Sequence, residues 1–314
     1  MRKLSFIASL VVVALWASVA QAHPVRTLTP VKVLGGTGNQ FAPSSDGTYL
    51  AYTYDTGKAS GQLVARIMRL PSGTSVRMNA TGTEAITGGF DPTTGKVIFQ
   101  QFNRKKGVSD LYFWDPSTRR RTKVPGVDTA AWEFQPRISA TYVSFFRDFK
   151  KNGVWYVGVY LYGRATGNLR RIAAFKEVPY AFNGSVGDRY TTWSWCNKTT
   201  CYVFVYDAQS KTVKKIPTKN GRPQYASTID EVSGTVFFAR SGFGCGKEVT
   251  FFSVPVTDLS STPTKIVTLP AGVDADYYAS LAPAAAGGLD LLFGRVACAS
   301  NTTDVYALRG VTPP

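Results

Sequence analysis

The sequence predicts an all-β chain folded as a six-bladed propeller, on three observations. Six turns, centred on Gly47, Gly95, Ala140, Gly187, Gly234 and Gly288, recur every 45 to 54 residues. Each is followed by a short apolar strand: TYLAYTY, KVIFQQF, TYVSFFR, RYTTWSW, TVFFARS and LDLLFGR. Past the N-terminal segment, no stretch carries the 3.6-residue apolar period of an amphipathic helix. A period of roughly 40–50 residues built only of strands is the mark of a propeller, one four-stranded blade per repeat.

The segment MRKLSFIASLVVVALWASVAQA reads as an export leader. Two basic residues precede an apolar run, and Ala20-Gln21-Ala22 forms a small-x-small end. Cleavage is expected after Ala22, leaving residues 23–314 as a single propeller domain, secreted or held in the periplasm or cell envelope. No later run reaches the length of a membrane span. Four cysteines in an exported chain predict two disulfides. Cys196 and Cys201 flank one hairpin, and Cys245 and Cys298 fall in corresponding hairpins of the next two repeats. The expected pairs are therefore Cys196–Cys201 and Cys245–Cys298.

Repeat two shows the blade most clearly. Its inner strand is Glu84–Phe90, and DPTTG turns into a second strand at Lys96–Phe102. A third strand covers Asp110–Trp114, and a fourth covers Arg121–Val124 after the turn DPSTR. The third strands of later repeats (VWYVGVYLYG, CYVFVYD, EVTFFSV, DVYALRG) are almost continuously apolar, as sheets covered on both faces require. Repeat six ends without a fourth strand. The segment TPVKVLGG (29–36) resembles the outer strand TPTKIVTLPAG (262–272) of repeat five, so the N-terminal strand is expected to complete the last blade.

FAPSSDGTYLAYTY (41–54) and FDPTTGKVIFQ (90–100) resemble the F-S-P-D-G-K-x-I-A-Y repeat of the WD40-like, TolB-type six-bladed propellers. The resemblance runs from about Val31 to Gly310, with only these two repeats close to the pattern. It implies the fold, but little about activity, since such propellers serve as binding scaffolds, accessory domains and occasionally enzymes. TolB proteins carry a further N-terminal α/β domain, for which no room is expected between His23 and the first blade. That family's partner interactions are therefore not carried over.

His23 is the single histidine, at the expected mature terminus, so neither a Ser-His-Asp nor a Cys-His machine is expected in the ring. No cofactor, metal site or catalytic residue is assigned. The entries to the inner strands and the hairpins between second and third strands should share one face and surround the axial channel. The candidate binding residues there are Glu84, Trp132, Glu133, Tyr180, Gln224, Tyr225, Asp276 and Tyr277, with Asn183, Asp274 and Tyr278 beside them. Aromatic rings at a mouth stack on sugars or anchor peptides, so the leading expectation is a non-catalytic scaffold that binds a protein or glycan. The alternative is a carboxylate- or metal-dependent hydrolase of glycans or esters using Glu84, Glu133 and Asp276. Trp114, Trp155, Trp193 and Trp195 are expected in inter-blade packing or on sheet faces.

The formal charge is +16. Basic runs at Arg104-Lys105-Lys106, Arg119-Arg120-Arg121, Arg170-Arg171 and Lys214-Lys215 fall in hairpins or outer strands, where they discourage edge pairing. They also make an anionic cell-wall polymer a candidate partner. Aromatics do not interleave with them as a nucleic-acid groove would require, and a monomer is expected.

Overall fold

The computed structural model describes residues 28–311, apart from 37, 58–62, 72, 177–179, 198, 219, 243–244 and 285–286. The proposed leader and His23 lie outside the described residues. Six four-stranded antiparallel sheets stand around one axis, with their innermost strands at Asn39–Ser45, Glu84–Phe90, Glu133–Ile138, Tyr180–Val186, Gln224–Asp230 and Val273–Pro283. These open blades one to six. A single 3-10 turn at Val256–Asp258 is the only helical element among the described residues. The inner strand of blade two has the predicted bounds, and its second, third and outer strands run Val97–Asn103, Val108–Asp115 and Arg120–Lys123.

Blade six is closed by the N-terminal strand. Val31–Leu34 pairs antiparallel with Thr302–Val311, as Val31 with Ala307 and Lys32 with Tyr306. Both ends of the chain thus share one sheet, and Lys32 adds an ion pair to Asp304 at 2.6 Å.

The continuous apolar strands are explained by two-sided burial. In the second strand of blade three, Phe145 packs toward blade two and Phe146 toward blade four, both fully buried. Phe237 and Phe238 of blade five divide in the same way between blades six and four. Period-two alternation therefore sends successive apolar side chains into different inter-blade gaps, and one apolar cluster fills each of the six gaps.

Both predicted disulfides are present. Cys196–Cys201 closes the hairpin of blade four, and Cys245–Cys298 joins the corresponding hairpins of blades five and six. Two disulfides fit an extracytoplasmic protein. Among the described residues no helix is long and apolar enough to cross a membrane.

Candidate functional site

All six inner strands break their ladder at the same level. In blades one to five, two residues oppose one on the neighbouring strand: Ala42-Pro43, Gly88-Gly89, Gln135-Pro136, Gly184-Ser185 and Ala226-Ser227. Ala42, Gln135 and Ala226 take positive φ of 48°, 50° and 51° there, a conformation L-residues seldom adopt. Blade six departs from this pattern. Pairing passes from Ala275–Arg295 to Ala279–Phe293, so Asp276, Tyr277 and Tyr278 together oppose Gly294 alone. A Cβ at Gly294 would lie 2.9 Å from that of Asp276, so the absence of a side chain there makes room for the wider bulge.

The extra residue delivers side chains to the axis. Arg137 of blade three meets them there, 7% exposed, with its guanidinium 5.6 Å from the Tyr278 ring centroid. Its Nε donates to the Gly184 carbonyl at 2.7 Å and Nη1 to that of Pro136 at 3.0 Å, with longer contacts to Thr87 and Gly88. One cation thus ties together backbones of blades two, three and four and closes the middle of the channel. Burial pulls its pKa down to about 10, which leaves it charged at neutral pH. Asp276 keeps a partly accessible face. Its Oδ1 accepts the Tyr277 amide at 2.8 Å, while its Oδ2 is buried from solvent on the side of the Ala42 amide. Desolvation pushes this carboxyl up to about 7, against the hydrogen bonds of the Tyr277 and Ala42 amides and the weaker pull of Arg137.

Above the plug lies an aromatic column. Tyr277 lies parallel to Phe182 at 4.1 Å between centroids, and Tyr180 stacks on Phe182 at 6.3 Å. Tyr225 is tilted against Tyr277 at 5.1 Å, and its buried hydroxyl donates to Asp274 Oδ1 at 2.7 Å. Tyr180 and Tyr277 are 59% and 38% exposed, so the column presents open rings at the mouth.

The other sequence-predicted residues go elsewhere. Glu84 and Trp132 line a mainly apolar cleft of about 360 Å³, chiefly between blades two and three, with Ile86, Phe102 and Phe134. Glu84 is paired with Arg104 at 2.9 Å, and the Trp132 indole donates to the Gly107 carbonyl. Glu133 is fully buried: alternation turns it sideways into the gap between blades, where Oε1 accepts from Thr129 and pairs with Arg147 at 3.0 Å. Burial raises its carboxyl to about 7. Gln224 is likewise buried, and its amide donates to the Pro217 carbonyl. Of the eight candidates, the axial mouth therefore unites Tyr180, Tyr225, Asp276 and Tyr277. The carboxylates of Glu84, Glu133 and Asp276 occupy three different environments. Among the described residues no group of three or more His, Cys, Asp or Glu could hold a metal ion. Trp155, expected in inter-blade packing or on a sheet face, is 49% exposed near a hairpin tip.

Arg137 and Phe182 were missed in the sequence. The available signal was indirect: Pro43, Gly88, Pro136 and Gly184 interrupt inner strands, and Pro or Gly inside a strand marks a bulge.

No protein-family model matches this chain, and no curated protein matches it. Solved structures do. An oligogalacturonate lyase in complex with manganese is 10% identical, over 88% of this chain and 85% of that one, with a TM-score of 0.54. TolB from Acinetobacter baumannii is 12% identical over 86% of this chain and 66% of that one, also at 0.54. The chain shares the propeller fold with TolB and is similar to it in architecture. The propeller domain of the Trilobed protease from Pyrococcus furiosus is 10% identical, over 88% and 97%, again at 0.54. At such identities the likeness is one of architecture, spread over proteins with different activities.

Proposed function

We propose that the protein is an exported, non-catalytic propeller that binds a segment of a protein partner or a glycan chain at the aromatic mouth of its axis. The observation that carries this reading is the parallel Tyr180–Phe182–Tyr277 column, open at two rings, standing over an axis closed by Arg137 and Tyr278. A ligand would cap the mouth and stack on it rather than thread the channel. Aromatic faces anchor both peptides and sugars with little loss of side-chain freedom. The leader read in residues 1–22 and the two disulfides support export.

The hydrolase alternative keeps one observation in its favour. Asp276, raised to about 7 by burial at the axis, has the pKa of a general acid or base.

The test combines a glycan array with crosslinking capture from envelope extracts, using the wild type, Tyr180→Ala/Tyr277→Ala and Asp276→Asn. The expected result is a ligand bound by the wild type and at least about tenfold more weakly by the double tyrosine variant, with both proteins folded at the assay temperature by circular dichroism. A ligand bound equally by the double variant overturns the reading. Turnover lost in Asp276→Asn, with binding intact, establishes the alternative.

A further inference from the structure

Among the described residues, one hairpin runs well past its inner strand on the mouth face. In blades one, four, five and six, the second strand ends level with the first residue of the inner strand, at Asn39–Asp55, Tyr180–Cys196, Gln224–Arg240 and Val273–Ala297. In blade two it runs one residue further, to Asn103. In blade three the inner strand begins at Glu133, opposite Arg147, yet pairing with the third strand continues through Asp148–Val157, Phe149–Tyr156 and Lys150–Trp155 to Lys151–Val154. Four further residues at about 3.3 Å each lift this tip roughly 13 Å above the inner strand.

The hairpin is built to hold its shape. Asn152 and Gly153 both take positive φ, 51° and 78°, as a two-residue turn matched to strand twist requires. Phe149 stacks on Tyr156 at 5.5 Å, and the Arg171 guanidinium sits 4.4 Å from the Phe149 ring centroid. At the tip, Val154 and Trp155 are 43% and 49% exposed opposite Lys151 and Lys150, with Lys150 lying over the Trp155 ring. The neighbouring hairpin of blade two adds Lys105 and Lys106 on the same face.

We propose that this hairpin seats the propeller on anionic lipid headgroups, with Val154 and Trp155 entering the interface and Lys150 and Lys151 pairing with phosphate. The composition of the tip selects this partner. Interfaces between proteins favour Trp but are depleted of Lys. A soluble polyanion would use the lysines and leave Val154 and Trp155 in water. A bilayer surface uses both, since Trp settles at headgroup level while Lys extends its charge to the anionic layer. The hairpin belongs to blade three, whereas the aromatic mouth on the same face is built by blades four to six.

The test is sedimentation of protein purified from the exported fraction with vesicles of phosphatidylcholine alone, or with about a third phosphatidylglycerol. Wild type is compared with Lys150→Ala/Lys151→Ala, Trp155→Ala and Trp155→Phe, all of which alter exposed side chains and should melt as the wild type does. Binding is expected only to the anionic vesicles. It should weaken about thirtyfold on loss of both lysines, at about tenfold per 1.4 kcal/mol, and about tenfold in Trp155→Ala. A vesicle-induced blue shift of tryptophan emission should vanish in Trp155→Phe. Absence of wild-type binding to anionic vesicles, or variants that bind as well as wild type, overturns the proposal. Equal binding of heparin by wild type and Trp155→Ala, with no emission shift on vesicles, identifies a soluble polyanion instead.

Discussion

The two disulfides should contribute unequally, because they close loops of different length. Cys196–Cys201 spans 5 residues of sequence and Cys245–Cys298 spans 53. On the chain-entropy account, the first removes about 2 kcal/mol of freedom from the unfolded chain and the second about 4 kcal/mol. Replacing both cysteines of a pair by Ala also removes sulfur packing. That matters for Cys196 and Cys201, each 1% exposed within the axial apolar cluster, and adds about 1 kcal/mol. Cys245 is exposed and Cys298 half-buried, so that pair loses little packing. With an unfolding entropy of about 0.6 kcal/mol/K for a domain of this size, Cys245→Ala/Cys298→Ala should melt about 7 degrees lower. Cys196→Ala/Cys201→Ala should melt about 5 degrees lower. Differential scanning calorimetry resolves that gap. A larger loss for the short loop would refute the entropic reasoning and place the value of these bonds in native packing.

Stability should fall with rising pH between about 4.5 and 7. Glu133 and Asp276 hold their protons more tightly folded than unfolded, so the native state binds the extra protons in that window and loses their benefit as pH rises. Urea unfolding at pH 5 and pH 8 should show this slope, and Asp276→Asn and Glu133→Gln should each flatten it; an unaltered slope in both refutes the assignment. Arg137→Met should cost about 3 kcal/mol, near 5 degrees, by stripping a charged donor from the carbonyls of Gly184 and Pro136. Arg137→Lys should not restore it, since an ammonium lacks the planar fork that reaches several carbonyls at once. A lysine variant melting with the wild type would show that charge alone is enough.

Much of the architecture was legible because it is local and repeated. The turn-and-strand units, the closing strand at Val31–Leu34 and both cysteine pairs follow from period, similarity between segments and hairpin position. The site was legible only in part. Tyr180 presents an exposed ring from the first residue of its strand and Tyr277 one from the blade-six bulge, whereas Glu133 and Gln224 also begin their strands but are buried. Which way a side chain leaves the first residue of a strand depends on register, and register is set by the bulges further along. Arg137 carries no local signal, because its partners come from strands roughly fifty residues away in both directions. The projecting hairpin was written in KKNGVW, but its height follows from where the inner strand stops pairing.

The extra residue in the bulge of blade six reaches beyond that blade. An innermost strand has a sheet neighbour on one side only; its other edge borders the axis, where no ladder has to be kept in step. A lengthening there disturbs a single strand pairing and leaves five sheets untouched, while handing new side chains to the space where all six converge. Sixfold repetition thus supplies the frame, and one insertion supplies the individuality. The same manoeuvre is open at five equivalent addresses, wherever the opposing residue is cut down to glycine as it is at Gly294.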